Sequence, residues 1–410
     1  MLLAEPLCRQ DGALLLPRHT VLTERHLEQF PVWGVSEAVI HDNTTPDAPE
    51  PEDLASPEPE AEALDCDRAR ELLRPRFALA DLSAPPMAAL FELAVPRAAE
   101  LLARRGPDAL ILPGPTPEDE LPPVPDVAPP GPMALIESDP KLTSLPDVFV
   151  RINEVLNDAN STAREAAEAI GKDTSLSTKL LRLVNSAFYG FPVKVDTLPR
   201  AVTIVGSRQL STLALGISVI SLFKDLPRGL VTMRAFWKHS IGCGVIASTL
   251  AGPEAGGAVE RLFVAGLLHD MGRLVLYRNL PRHAAHVLAT ARREKMLLRE
   301  AERKILGFDH AILAGMLLRK WRFPESLEKA VRHHHGGLAH MSMPMPAMVH
   351  AADAITGSLG IGSSGEIYAP PLSTVAWGTI GLSPERLADT VAASLPHIDD
   401  ITRDFLADDA

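Results

Sequence analysis

Histidine and aspartate residues are concentrated in one part of this 410-residue chain. Ten of its fourteen histidines fall between residues 239 and 353. Imidazole nitrogens and carboxylate oxygens are the groups that hold catalytic divalent metals, and the helices of a bundle can point them at a common centre. A metal site is therefore the first hypothesis. The order His, His-Asp, Asp supplies a candidate ligand set: His239, His269, Asp270 and Asp353.

The same residues also allow a purely structural interpretation. Buried histidines and aspartates can hydrogen-bond one another and join helices without binding an ion. That alternative stays open on the spacing alone.

Composition limits the class of protein. Hydrophobic residues make up 46% of the chain and charged residues 22%, which is typical of a globular protein. A net charge of -12 disfavours a general nucleic-acid binder. Cys8, Cys66 and Cys243 stand far apart, as free thiols of a reducing compartment do. No convincing signal peptide or membrane span is present, so we expect a cytoplasmic protein with no membrane partner.

Two proline-rich segments divide the chain. Residues 42–62 contain eight acidic residues and five prolines without a lysine or arginine, and residues 112–140 contain ten prolines. Both predict extended linkers. We therefore predict a small α/β module over residues 1–41, a linker over 42–63, a helical hairpin over 64–111, a linker over 112–140, a helical domain over 141–357 and a helical extension over 358–410.

Helical periodicity dominates from residue 141 onward. Thr162 and Glu165 have the spacing of a capping box, which predicts the start of a helix. The run from Gly206 to Phe223 is apolar nearly all round, so it predicts a central core helix. The predicted fold class is mainly α, an all-helical bundle preceded by the small α/β module and a helical segment.

Four stretches resemble the HDOD domain of bacterial signalling proteins. They are Leu145-Pro146, Lys172-Asp173 through Leu176, Lys179 through Gly190, and Ala201-Val202 through Gly206. The Asn-Ser-Ala-Phe-Tyr-Gly part of the third stretch is distinctive, and the resemblance runs from about residue 142 to 357. It implies an HD-like helical bundle related to the HD phosphohydrolase superfamily.

The resemblance also implies roles for the histidine cluster. His239 looks like the first HD histidine, His269-Asp270 like the doublet, and Asp353 like the final aspartate. A divalent metal is then expected, either iron, manganese, nickel or magnesium in a mononuclear or dinuclear site, with a metal-free domain as the alternative. The additional histidines of HD-GYP phosphodiesterases are matched by His310, His334 and His335.

Two departures separate this chain from HD-GYP enzymes. Gly336-Gly337 follows His335 in place of a glutamate and a Gly-Tyr-Pro turn, and Arg273 follows the doublet where those enzymes usually carry lysine. In an active enzyme, Asp270 would act at the metal centre and Arg273 would stabilise charge on a phosphoryl group. The substrate of such a metal-dependent phosphohydrolase would be a nucleotide or a cyclic dinucleotide.

A regulatory role is favoured over turnover. We expect a signal-transduction protein in which a ligand or metal shifts the packing of residues 141–225 against residues 230–357. The expected partner is a signalling protein that senses this shift, and a nucleotide is a candidate ligand.

Other charged and histidine residues receive a structural interpretation. A basic cluster within residues 292–304 could bind nucleic acid, but its acidic neighbours, Glu302 among them, favour a solvated helix face. His283 and His286 are predicted to lie at the surface. His350 could support the ligands or fill the core.

Overall fold

A computed structural model describes residues 7–8, 14–16, 39, 65–113 and 128–406, the last range with gaps at 159, 224–225, 228 and 253–254. The chain divides into two compact units, residues 1–62 and 63–410. In the first unit, strand β1 (Leu7–Cys8) pairs antiparallel with strand β2 (Leu14–Leu16). Apart from these strands and Val39, which is in neither helix nor strand, the α/β module predicted over residues 1–41 lies outside the described residues.

The described residues of the second unit form helices joined by loops, with no strand, and the predicted mainly α fold is confirmed. Its α-helices are α1 (Cys66–Leu73), α2 (Pro85–Arg105), α3 (Pro132–Ser138), α4 (Pro140–Thr143), α5 (Asp147–Asn157), α6 (Ala163–Gly171), α7 (Thr174–Val184), α8 (Leu198–Val205), α9 (Ser207–Leu222), α10 (Met233–Ala251), α11 (Ala258–Leu268), α12 (Met271–Asn279), α13 (Pro281–Glu294), α14 (Leu298–Leu306), α15 (His310–Lys320), α16 (Glu325–Arg332), α17 (Leu338–Met341), α18 (Pro344–Ser358), α19 (Thr374–Thr379) and α20 (Pro384–Phe405).

Local signals in the sequence set several helix ends. The predicted capping box is present, since the Thr162 side chain accepts from the Glu165 backbone and Glu165 accepts from the backbone of Thr162. Asn185 ends α7, and its side chain donates to the carbonyl of Val195 and accepts from the Val195 amide at 2.7 Å each. The Asn185 amide thereby holds the chain that returns after Gly190.

Helix α9 is the buried core helix predicted from its apolar run. Its residues from Leu210 to Ile217 are all buried, and it packs against α5, α7 and α11. Within the described residues, no single helix combines the length and apolar character needed to cross a membrane. The pair α8 and α9, bent by 117° at Gly206, passes that test only when the two helices are taken together.

The site depends on close packing of α10 with its neighbours. Helix α10 packs against α11, α18 and α20. A Cβ on Gly266 would lie 2.5 Å from the backbone nitrogen of Gly244, so only glycine lets α10 and α11 approach this closely. A Cβ on Gly272 would likewise collide with the backbone of His310, which brings the start of α12 against the start of α15.

The linker prediction was wrong at its C-terminal end. Residues 132–138 form α3, which buries Leu135 and Ile136 against the rest of the unit. Pro132 begins this helix, and proline costs little there because the first helical N–H needs no intrahelical partner. The high proline content of the segment therefore concealed a helix start.

The helices on either side of the predicted domain pack against it. Helix α2 contacts α18 and α20, and α20 runs along α10. Lys238 on α10 pairs with Asp399 on α20 at 2.9 Å. The loop over residues 359–373 returns across α10, where the Ser363 amide donates to the carbonyl of Ala235 at 3.0 Å.

Candidate metal centre

Four side chains from three separate parts of the chain form the first ligand group. His239 lies on α10, His269 and Asp270 lie between α11 and α12, and Asp353 lies on α18. The Nε2 atom of His239 is 3.2 Å from Asp353 Oδ1, and that of His269 is 3.3 Å from Asp270 Oδ2. The two cross distances, His239 to Asp270 and His269 to Asp353, are both 3.7 Å. The side chains therefore face one point.

Three further histidines form a second ligand group beside the first. One imidazole nitrogen from each of His310, His334 and His335 lies within 4.8 Å of the others. His310 begins α15, and the other two follow the end of α16. Asp270 stands between the groups, because its Oδ2 faces His269 while its Oδ1 lies 3.0 Å from Nε2 of His310. All seven side chains predicted as ligands are thus brought together.

Hydrogen bonds fix the orientation of three imidazoles. Nδ1 of His269 donates to the Gly266 carbonyl at 2.7 Å, and Nδ1 of His334 donates to the Val331 carbonyl at 2.6 Å. Nδ1 of His310 lies 2.6 Å from a carboxylate oxygen of Glu302. When each ring is neutral, its proton is held on Nδ1 and its Nε2 lone pair is directed into the centre, as in metal-ligating histidines.

Buried polar atoms at the centre lack ordinary partners. The seven side chains are at most 8% exposed. Among the described residues, Nε2 of His334 has no hydrogen-bond partner, and Nε2 of His310 and Oδ1 of Asp270 face each other without hydrogen-bonding geometry. Buried groups of this kind are normally satisfied. A divalent ion among these imidazoles and carboxylates would satisfy them, so the residues present fit a metal.

The centre favours ionised carboxylates and a neutral His334. Burial raises the pKa of Asp270 and Asp353, but Arg273 beside Asp270 and His239 beside Asp353 outweigh it and hold both pKa values well below their usual range. Burial together with the neighbouring imidazoles lowers the pKa of His334 to about 3. These are the protonation states that metal ligation requires.

Three other imidazoles, those of His239, His269 and His310, carry a proton in the metal-free protein. Burial lowers the pKa of His269, but Asp270 and Cys243 outweigh it and raise the pKa well above its usual value. Burial lowers the pKa of His239, but Cys243 and Asp353 outweigh it and raise the pKa to about 10. Burial also lowers the pKa of His310, but Glu302 and the neighbouring aspartate outweigh it and raise the pKa to about 9. Metal binding must displace these protons.

The comparisons with known proteins identify the helical region. The family model of the HDOD domain matches residues 142–336. The chain contains an HDOD domain. The match begins where the sequence resemblance begins and stops 17 residues before Asp353, so the last predicted ligand lies beyond the matched range.

Solved structures share the fold of this HDOD region. An HDOD domain protein of unknown function from Geobacter sulfurreducens is 23% identical, with a TM-score of 0.52 and coverage of 67% of this chain and 97% of that one. A Shewanella amazonensis protein named as a candidate phosphohydrolase is 22% identical, with a TM-score of 0.53 and coverage of 66% and 98%. A candidate signal transduction protein from Marinobacter aquaeolei is 21% identical, with a TM-score of 0.51 and coverage of 66% and 60%.

A curated relative is similar over about half of this chain. An uncharacterised protein of Treponema pallidum is 23% identical over 195 residues, which are 47% of this chain. The chain spans only 37% of that relative's length.

Glu302 is a residue of the HDOD centre that sequence reasoning placed wrongly. It was expected on a solvated helix face, but it is only 2% exposed. Its carboxylate accepts from the His310 amide at 2.9 Å and from Arg273 Nε at 2.9 Å. A signal was present, because Leu298, Glu302 and Leu306 have four-residue spacing and so share the apolar face of α14.

Arg273 is held by protein oxygens on several sides. Its Nη1 donates to Asp270 Oδ2 at 2.8 Å and to the Ser364 hydroxyl at 2.6 Å, while its Nε donates to Glu302. Tyr277 donates to the carbonyl of the same Ser364 at 2.6 Å. These contacts favour Arg273 as a buried counter-ion that links the centre to loop 359–373, and its contact with a phosphoryl group stays a prediction.

Several histidines of the cluster do not enter the centre. His333 stacks on His340, with ring centroids 3.9 Å apart. Both nitrogens of His350 are engaged, since Nδ1 lies 2.8 Å from the His334 carbonyl and Nε2 accepts from the Ser373 amide at 3.0 Å. His350 therefore supports the backbone of a ligand. His283, predicted at the surface, is buried on the inner side of α13.

One small cavity adjoins the centre. It is lined by Asp353 of the first ligand group and by His335 of the second. Arg273 and Arg299 also line it. Pro370 and Pro371 of loop 359–373 close another side. A small ion or anion in this cavity would lie beside Asp353 and His335.

Proposed function

We propose that the HDOD domain is a metal-dependent regulatory module. A divalent ion held by His239, His269, Asp270 and Asp353 would tie α10, the α11–α12 junction and α18 together, although 113 residues lie between the first ligand and the last. The observation that carries the proposal is that three buried imidazoles, those of His269, His310 and His334, have Nδ1 held by a protein oxygen and Nε2 directed inward. A purely structural network would more commonly pair the inward nitrogens with protein groups.

Enclosure of the centre favours regulation over turnover. The ligand side chains are almost fully buried, and loop 359–373 lies against α10 and Arg273. A nucleotide-sized substrate would need that loop to move. A change at the centre would instead alter the packing of α10 and α18, and a signalling protein that contacts these helices would sense the change.

Metal analysis and hydrogen exchange test this proposal. Protein purified without chelator is expected to contain a transition metal in stoichiometric amount, and its removal is expected to increase amide exchange in α10, α12 and α18. A matched control is His333→Gln, because His333 belongs to the same histidine run but stacks outside the centre. Protein that binds no divalent metal, or whose exchange in those helices is unchanged by metal, would contradict the proposal.

The second candidate function is phosphohydrolysis. The position of Asp270 between the two ligand groups favours it, since a carboxylate that faces two sites is suited to a dinuclear centre. A bound ion would supply an activated water and polarise a phosphoryl oxygen. In that case Arg273 would neutralise charge beside the cavity, which is small in this arrangement of loop 359–373.

A measurement of substrate turnover distinguishes the regulatory function from phosphohydrolysis. The metal-loaded protein would be screened against nucleotides and cyclic dinucleotides with manganese, iron and nickel. Hydrolysis that is lost in Asp270→Asn and kept in His333→Gln would establish the enzyme and exclude a purely regulatory centre. Loaded protein that hydrolyses none of these substrates would leave regulation as the function of the domain.

A further inference from the structure

A cysteine thiol lies at the first ligand group. Cys243 follows His239 by one helical turn on α10, so both side chains lie on the same face of the helix. Its Sγ atom is 3.7 Å from Nε2 of His239 and 4.0 Å from Nε2 of His269, and the residue is fully buried. Sequence reasoning assigned Cys243 no role beyond that of a free thiol.

Cys243 Sγ, the Nε2 atoms of His239 and His269, and Asp353 Oδ1 are four potential ligand atoms, and four of their six separations are close to those of a tetrahedral site. Metal–nitrogen and metal–oxygen bonds of about 2.0–2.2 Å and a metal–sulfur bond of about 2.3 Å give edges of about 3.3–3.6 Å between ligand atoms. The sulfur lies 3.7 and 4.0 Å from the two imidazole nitrogens, and Asp353 Oδ1 lies 3.2 and 3.7 Å from the same nitrogens. All four potential ligand atoms lie within 4.8 Å of one another.

Asp270 also lies near this group, with Oδ2 3.3 Å from Nε2 of His269, but both of its carboxylate oxygens have partners outside the group. Its Oδ2 accepts a hydrogen bond from Arg273 at 2.8 Å, and its Oδ1 faces His310. The neighbouring His334 presents a buried Nε2 that has no partner among the described residues. Asp270 therefore suits the second ligand group, with His310, His334 and His335, whereas the sulfur faces only the first.

We propose that Cys243 is a thiolate ligand of the first metal, together with His239, His269 and Asp353. On coordination the S–H bond is broken, its proton passes to solvent, and a metal–sulfur bond forms without any change in oxidation state. The inference depends on the metal centre proposed above, replaces Asp270 by Cys243 in its first ligand group, and adds the class of ion. A thiolate with two imidazoles selects zinc, iron or cobalt over magnesium and manganese.

Coordination by four protein ligands would give the first metal a structural role. Structural metal sites are closed by four protein ligands, whereas catalytic sites keep a position open for water or substrate. The first site would then be a structural crosslink between α10 and α18. Any reactive or exchangeable ion would lie in the second group, around Asp270.

Cobalt substitution tests the inference directly. Co(II) bound by a thiolate shows an intense sulfur-to-metal charge-transfer band in the near ultraviolet, and Co(II) bound by nitrogen and oxygen alone does not. The probe is Co(II) added to metal-free full-length protein, with bound cobalt measured separately. We expect the band in the wild type and in the double variant Cys8→Ser/Cys66→Ser, in which Cys243 is the remaining cysteine. We expect Cys243→Ser to lose it.

The result does not depend on how well the Cys243 variant folds. The double variant keeps Cys243, and Cys66 lies half-buried on α1. X-ray absorption of the zinc-loaded wild type gives a second measurement, in which one sulfur neighbour at about 2.3 Å is expected. Cobalt bound without the band, or zinc without a sulfur neighbour, would overturn the thiolate ligand and leave the proposed metal centre standing. Failure to bind either ion would overturn both.

Discussion

At the scale of single residues, the centre depends on groups that hold its ligands in place. Glu302 accepts from both the backbone and the imidazole of His310 and also binds Arg273. Supporting partners of this kind raise the basicity of a ligand and fix its ring. Glu302 is therefore as important to the second ligand group as a ligand itself.

Replacement of Glu302 by glutamine is expected to weaken metal binding. The amide keeps the size of the side chain but removes the charge that orients His310 and neutralises Arg273, so affinity should fall by about 10–100-fold. Competition with a chromophoric chelator measures this. The control is Glu294→Gln, which removes an exposed carboxylate that pairs with Lys304 at the surface. Equal affinities for both variants would show that Glu302 has no supporting role.

Metal affinity is expected to increase with pH. The pKa of His239 is raised to about 10 and that of His310 to about 9, so both imidazoles are protonated near pH 7 in the metal-free protein. A metal ligand must be neutral, so binding releases these protons and higher pH favours the bound state. The dissociation constant should fall about tenfold per pH unit for each proton released. Calorimetry in buffers of different ionisation enthalpy would count the protons, and a count of zero would contradict this prediction.

At the scale of helices, glycine packing sets the distance between ligands. Gly266 on α11 lies against Gly244 on α10, three residues before His269 and five residues after His239. Gly266→Ala should separate these helices and destabilise the domain by about 1–3 kcal/mol. Gly378→Ala is the control, because a Cβ there meets nothing within 4 Å. Denaturant unfolding of both variants measures the difference, and equal midpoints would show that the contact between α10 and α11 tolerates a Cβ.

Much of this helical arrangement could be predicted from the sequence, because the signals were local. The capping box at Thr162 and the apolar run of α9 each depend on residues within one helix. The spacing of His239, His269-Asp270 and Asp353 was recognisable through the family resemblance. Helix α3 could not be seen, because its short apolar stretch lies among prolines and is stabilised only by tertiary burial of Leu135 and Ile136.

The supporting residues of the centre were harder to predict for a similar reason. Cys243 and Ser364 do not belong to any recognisable sequence motif. Their positions at the centre depend on tertiary packing, in which loop 359–373 and α18 lie against α10. Glu302 carries the same charge as its exposed neighbours. Only its position on the apolar face of α14 distinguishes it, and that signal was outweighed by the basic residues around it.

At the scale of the whole molecule, the metal is expected to act as a crosslink between segments that are distant in the chain. An ion that binds only the folded protein stabilises it by about 2.7 kcal/mol at a free concentration one hundred times the dissociation constant. Zinc or iron should therefore raise the unfolding temperature of the wild type and of His333→Gln. The same ions should have little effect on Asp353→Asn, which removes a charged ligand that faces both His239 and His269. An equal shift in all three proteins would place the stabilising ion elsewhere.

The central claim is that one buried centre in the HDOD domain binds a metal through side chains from distant helices. Anomalous diffraction from crystals of the metal-loaded protein, recorded above and below the absorption edge of the ion, tests it most directly. The account predicts a peak within bonding distance of His239, His269 and Asp353. An ordered crystal of loaded protein with its peak at a surface site, and with those side chains hydrogen-bonded only to one another, would contradict it.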